Sequence, residues 1–132
     1  MRHYIALLVL LMLVFITACE KPAGEGGTST IRGKVFIRNY NSNFTFLHSA
    51  YYAQEERVYI IYGDHLFYDD NIRTSYDGTY EFSYLRPGQY TVFAYSDDST
   101  FTIPGGQFPV FQHVEITENN QLIEVPTIIL LK

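Results

Sequence analysis

Apolar and polar positions alternate through the second half of the chain. From Thr79 to Leu85, Tyr80, Phe82 and Leu85 share one side, and Thr79, Glu81 and Ser83 the other. That is the period of a half-buried strand. From Gln89 to Tyr95 the pattern repeats, with Tyr90, Val92 and Ala94 on one face. Two turns frame these runs. Tyr76-Asp77-Gly78 precedes the first, and Arg86-Pro87-Gly88 separates the two. Gly supplies positive φ and Pro presets a turn.

Earlier and later segments read the same way. Ile31 to Tyr40 places Ile31, Gly33, Val35 and Ile37 on one face and Arg32, Lys34, Phe36 and Arg38 on the other. The three basic residues suggest a solvated face. Arg57 to Tyr62 sets Val58, Ile60 and Tyr62 against Tyr59 and Ile61. Leu66-Phe67-Tyr68 is a short apolar piece between two turns. Val110 to Thr117 is a strand with Val114 and Ile116 inward. Leu122 to Leu131 is the last, and its Pro126 predicts an edge strand or a bulge. Asn39 to Glu56 has no clear period and reads as a long connection. No helical period, heptad or internal repeat is present. About seven short strands predict an all-β sandwich.

Composition agrees. Of 132 residues, 47% are hydrophobic, with 12 Tyr, 10 Phe and no Trp. That suits one strand-rich domain. The formal charge of −5 argues against nucleic acid as a partner.

The amino terminus reads as an address. Met1-Arg2-His3-Tyr4 is basic, and Ile5 to Ile16 is unbroken apolar sequence. This run is shorter than the ~20 residues of a membrane span and fits a signal peptide. It ends in Ile16-Thr17-Ala18-Cys19, which resembles the bacterial lipobox. The resemblance implies cleavage after residue 18, acylation of Cys19 and membrane attachment through that lipid. Glu20 in place of Asp implies the outer membrane. Lys21 to Thr30, rich in Gly, Ser and Thr, reads as a flexible tether. The expected division is therefore 1–18 signal peptide, 19–30 lipidated cysteine and tether, and 31–132 folded domain.

The stretch DGTYEFSYLRPGQYTV also resembles the signature of carboxypeptidase-regulatory-like domains, which are transthyretin-like. Asp77, Gly78, Tyr80, Phe82, Leu85, Pro87, Gly88, Tyr90 and Val92 carry the match. The resemblance implies a seven-stranded, prealbumin-like Greek-key β-sandwich. It is to the accessory sandwich of carboxypeptidases, and nothing here resembles their catalytic domain. Collagen-adhesin B-type domains, a related group, form Lys–Asn isopeptide bonds. Lys34 occupies a comparable place, but the last strand has no Asn to partner it.

Candidate chemistry is sparse. His48, His65 and His113 are far apart, with no zinc-peptidase spacing. Asp64, Asp69, Asp70, Asp77, Asp97 and Asp98 cluster at turns without a calcium-loop pattern. There is no G-x-S-x-G, and Cys19 is committed to lipid. The expectation is a non-enzymatic protein without metal or cofactor. Its remaining distinctive feature is an outward period. If Val58, Ile60, Tyr90, Val92 and Ala94 point inward, then Tyr59, Ile61, Phe93 and Tyr95 point outward. Two readings follow. They form a face that binds a protein or glycan partner, or the Asn39–Glu56 segment folds over them.

Overall fold

The computed structural model describes residues 21–132; the expected signal peptide and Cys19 lie outside the described residues. Nine strands and no helix are found among the described residues. They are β1 (Glu25–Tyr40), β2 (Leu47–Tyr52), β3 (Arg57–Tyr62), β4 (Asp70–Arg73), β5 (Thr79–Leu85), β6 (Gly88–Asp97), β7 (Gln107–Ile116), β8 (Leu122–Glu124) and β9 (Ile128–Leu131). One sheet is built on β1, flanked by β2 and β5 along one edge and by β8 and β9 along the other. The second has the order β4-β3-β6-β7.

The count exceeds the expected seven for identifiable reasons. Pro126 cannot donate to a ladder, so the last strand divides into β8 and β9, both parallel to β1. Part of the irregular Asn39–Glu56 segment forms β2. The Leu66–Tyr68 piece is loop, and the strand there is the more polar Asp70–Arg73.

Strand β1 is the spine. Its first half pairs with β5, ending at Lys34↔Thr79, and its second half pairs with β2 from Phe36↔Tyr52. Val35 lies between the two. Its N–H donates to Gly78 O at 2.9 Å, and its carbonyl accepts the Ala53 N–H at 2.9 Å. The break between partners therefore leaves no backbone group of Val35 unpaired.

The two sheets close over Ile31, Val35 and Ile37 of β1, Tyr80, Phe82 and Leu85 of β5, and Ile128 and Leu130 of β9. Opposite them lie Val58 and Ile60 of β3, Tyr90, Val92 and Ala94 of β6, and Val114 and Ile116 of β7. Apart from Ile128 and Leu130, these are inward positions that the alternation predicts. The spacing from Phe82 to Leu85 breaks period two. Tyr84 absorbs the break with φ of 60°, which turns its own ring to solvent and Leu85 inward.

Tyr80 is fully buried, and its hydroxyl has no hydrogen-bond partner. Its ring lies against Gly33, where a Cβ would meet the hydroxyl at 2.5 Å. Burial raises the pKa of this phenol. An unpaired buried hydroxyl costs free energy that a hydrogen atom in its place does not. Tyr80→Phe should therefore stabilise the domain by about 1 kcal/mol, read as a higher midpoint in a thermal melt. A lower midpoint would mean that the hydroxyl has a partner in solution.

The expected tether is the largest departure. β1 starts at Glu25 rather than Ile31, and the chain is held from Pro22 onward. Gly24 N–H donates to the Tyr90 hydroxyl at 2.9 Å, and the Arg86 N–H donates to Gly24 O at 2.9 Å. The Tyr90 hydroxyl itself donates to Arg86 O at 2.6 Å. Ser29 is buried, donating to Glu118 O at 2.9 Å and accepting the Gln121 N–H at 3.0 Å. The small residues here permit close approach: a Cβ on Gly27 would run into the Leu85 carbonyl. Composition suggested flexibility, but the same composition serves tight packing.

Candidate functional site: an aromatic sheet face

The outward side of the β4-β3-β6-β7 sheet is laid out by register. Tyr59 of β3 sits opposite Phe93 of β6, and Phe93 opposite Phe111 of β7. Ile61 and His113 flank Thr91 in the next row, and Tyr95 faces Pro109 on the other side. Cross-strand neighbours on one face lie close enough for ring contact. Tyr59 stacks on Phe93 with centroids 5.0 Å apart and planes at 14°. Tyr95 meets both rings edge-on, at 5.6 Å from each. Phe111 packs on Phe93 at 5.4 Å. Tyr68, from the β3–β4 loop, covers Tyr59 at 4.8 Å.

The cluster has a buried centre and an open rim. Phe93 is only 5% exposed, although it points away from the core. Tyr59 and Ile61 are half-buried. Tyr68, Tyr95 and Phe111 are exposed. Polar groups border the rings. Arg57 Nη1 donates to Asn71 Oδ1 at 3.1 Å, Thr91 Oγ1 lies 3.1 Å from His113 Nδ1, and Gln107 Nε2 donates to Asp97 Oδ1 at 2.9 Å.

All four residues expected to point outward therefore come together on one face. The reading in which Asn39–Glu56 covers them does not hold, because β2 pairs with β1 in the opposite sheet. The sequence reading missed Phe111, His113 and Tyr68. The first two carried a signal: carrying the alternation of Val114 and Ile116 back along β7 puts Phe111 and His113 outward. Tyr68 lies in a loop, where no period exists.

The turn acids act locally. Asp77 Oδ1 accepts from Ser75 Oγ at 2.7 Å and Thr79 N–H at 3.1 Å, and the Ser75 hydroxyl leads in holding its carboxyl well below the usual range. Lys34 Nζ lies 3.4 Å from Asp77 Oδ2 and over the Tyr52 ring. Asp98 is buried beneath the β6–β7 loop and accepts the N–H groups of Thr100, Thr102 and Ile103 at 2.7–2.8 Å. With the Thr100 hydroxyl as the largest cause, its pKa falls to about 2. Among the described residues, no three of His, Cys, Asp and Glu gather as a metal-binding set.

Among the described residues, the two roomiest of the four concavities found lie at opposite ends. A cleft of about 680 Å³ is lined by Lys21, Arg86, Glu115 and Glu118 among others. One of about 390 Å³ lies between Tyr40, Phe44, Phe101 and Ile103. The first is open and mixed in polarity, and the second is the gap between two loops.

No protein-family model matches the chain, and no curated protein matches it. Among solved structures, it is similar to a putative carbohydrate binding protein from Pseudomonas aeruginosa. The similarity has a TM-score of 0.47 and 10% identity, and covers 83% of this chain and 92% of that one.

Proposed function

We propose that the protein is a lipid-anchored, non-enzymatic binding module of a bacterial outer membrane, and that its aromatic sheet face docks a partner protein of the envelope. The observation that carries this reading is the contiguous ring cluster of Tyr59, Tyr68, Phe93, Tyr95 and Phe111 on the solvent side of a sheet. Large apolar patches on a sheet surface mark interaction sites. Tyr and Arg at such a patch are the residue types that dominate binding energy. The lipobox-like Ile16-Thr17-Ala18-Cys19 supports the anchor, and Glu20 the outer membrane. The DGTYEFSYLRPGQYTV stretch supports a prealbumin-like Greek-key type for the sandwich.

A second reading, an accessory module that binds glycan for a separate enzyme, is favoured by one feature. The Phe111 and His113 rings lie nearly parallel, 18° apart in plane and 6.4 Å between centroids, as a flat strip on which a sugar ring can stack.

One experiment tests both readings. Tyr95→Ser with Phe111→Ser removes two exposed rings without touching the core. The parent chain should capture a partner from detergent-solubilised envelope, and the double variant should lose that capture while still folding cooperatively, with a melting temperature roughly 8 °C below the parent. Binding of an oligosaccharide panel by the parent, lost in the same variant, selects the glycan reading. Equal capture of the same partner by parent and variant would remove this face as the site.

A further inference from the structure

The described chain begins at one end of the sandwich. Arg86 Nε donates to Pro22 O at 2.8 Å, and Gly24 is tied to Arg86 and Tyr90. Cys19 stands three positions before Pro22. Three residues reach at most ~11 Å. A lipid on Cys19 therefore holds this end of the domain close to the bilayer; a free ten-residue tether would not.

The same end carries the β3–β4 loop. Gly63 N–H donates to Gln89 O at 2.8 Å, next to the Arg86–Gly88 turn, and the Tyr62 hydroxyl lies 3.5 Å from Glu25 Oε1. Asp69 fixes the base of the loop. Its N–H donates to Ile60 O at 2.8 Å, its Oδ2 accepts the Tyr62 N–H at 2.7 Å, and its Oδ1 lies 2.8 Å from His65 Nδ1. Between His65 and Asp69 the chain projects Leu66 and Phe67 outward, 90% and 81% exposed. They are the most exposed Leu and Phe among the described residues. Isolated exposed apolar residues are ordinary. An adjacent pair at the tip of a pinned loop, at the end where the anchor attaches, has a specific neighbour available to it.

We infer that the Leu66–Phe67 tip enters the bilayer interface beside the lipidated Cys19 and seats the sandwich end-on against the membrane. The inference rests on the lipid-anchor reading above. Insertion is shallow, ~5–10 Å, as for apolar groups at the boundary of headgroups and acyl chains. Asp64 and Asp69 put acidic residues on both sides of the tip, so attraction of the loop to anionic headgroups is not what holds it. The occupant is the neutral bilayer surface itself. Seated in this way, the domain presents its aromatic sheet face sideways, along the membrane plane.

The chain has no Trp, so Phe67→Trp introduces a single tryptophan on an exposed loop, which can be excited selectively over the 12 tyrosines. Phe101→Trp is the control: Phe101 packs on Phe44, 5.8 Å away, at the opposite end of β1. Each full-length variant is produced with its own processing and reconstituted into phosphatidylcholine vesicles, with or without brominated lipid. The mass of the processed chain reports acylation. The Phe67→Trp emission should shift to the blue and be quenched by brominated lipid, and the Phe101→Trp emission should do neither. An acylated chain whose Phe67→Trp emission is not quenched overturns insertion and leaves the anchor standing. A chain without fatty acid overturns both. A blue shift without quenching means that protein covers the tip, and equal quenching of both probes means that the domain lies flat; either result overturns the end-on seating.

Discussion

Gly78→Val should lower the stability of the domain by more than about 2 kcal/mol. Gly78 has φ of +81°, where a β-branched side chain is strongly disfavoured. Strain is only part of the cost. A Cβ at this position would meet Val35 O at 2.7 Å and Tyr52 Cβ at 2.9 Å. Val35 O is the acceptor for Ala53 N–H, and Gly78 O is the acceptor for Val35 N–H. The new methyl groups would push apart the junction at which β1 exchanges β5 for β2. Gly105→Val is the internal comparison, because Gly105 also has positive φ, +89°, but nothing within 4 Å of a Cβ. It should carry the strain alone. For a domain of this size each kcal/mol corresponds to roughly 4 °C. Gly78→Val should therefore melt on the order of 10 °C below the parent, well below Gly105→Val. Equal melting of the two variants would show that the junction yields without cost.

The reach of the sequence follows from how each segment is buried. β5 and β6 were legible because one face of each meets the core and the other does not, so burial writes a period of two into the residues. Gly78 was legible because its turn needs positive φ. β2 was not, because all six of its residues are exposed and no face of it is selected for apolarity. The Glu25–Thr30 extension of β1 was hidden by its own composition. Gly27 and Ser29 are small because the Leu85 backbone and the Glu118–Gln121 turn press on them, and smallness without periodicity looks like a linker. On the candidate face, the outward period named Tyr59, Ile61, Phe93 and Tyr95 correctly as neighbours. It could not give their depth. Alternation assigns a side of the sheet, and whether that side is open depends on the rings that strands distant in sequence bring over it.

That difference in depth separates two residues that alternate identically. Phe93→Ser should cost about 3 kcal/mol, the low end for removing a large aromatic from a packed site. Phe93 is 5% exposed, enclosed by Tyr59, Tyr95 and Phe111 at 5.0–5.6 Å. It is the floor of the outer cluster, and its loss leaves three rings without their common contact. Tyr95 is 39% exposed and meets Tyr59 and Phe93 only edge-on. Tyr95→Ser should cost about 1 kcal/mol, within the range of an edge-to-face pair. A double variant at Phe93 and Tyr95 would therefore confuse folding with binding: the first change loosens the platform, and the second alters the surface that a partner meets. Measured singly, Phe93→Ser should show the larger fall in melting temperature, and Tyr95→Ser should weaken partner capture with the fold intact. If Phe93→Ser melts like the parent, the rings around it close the gap, and the outer cluster is a set of separate surface residues with no floor.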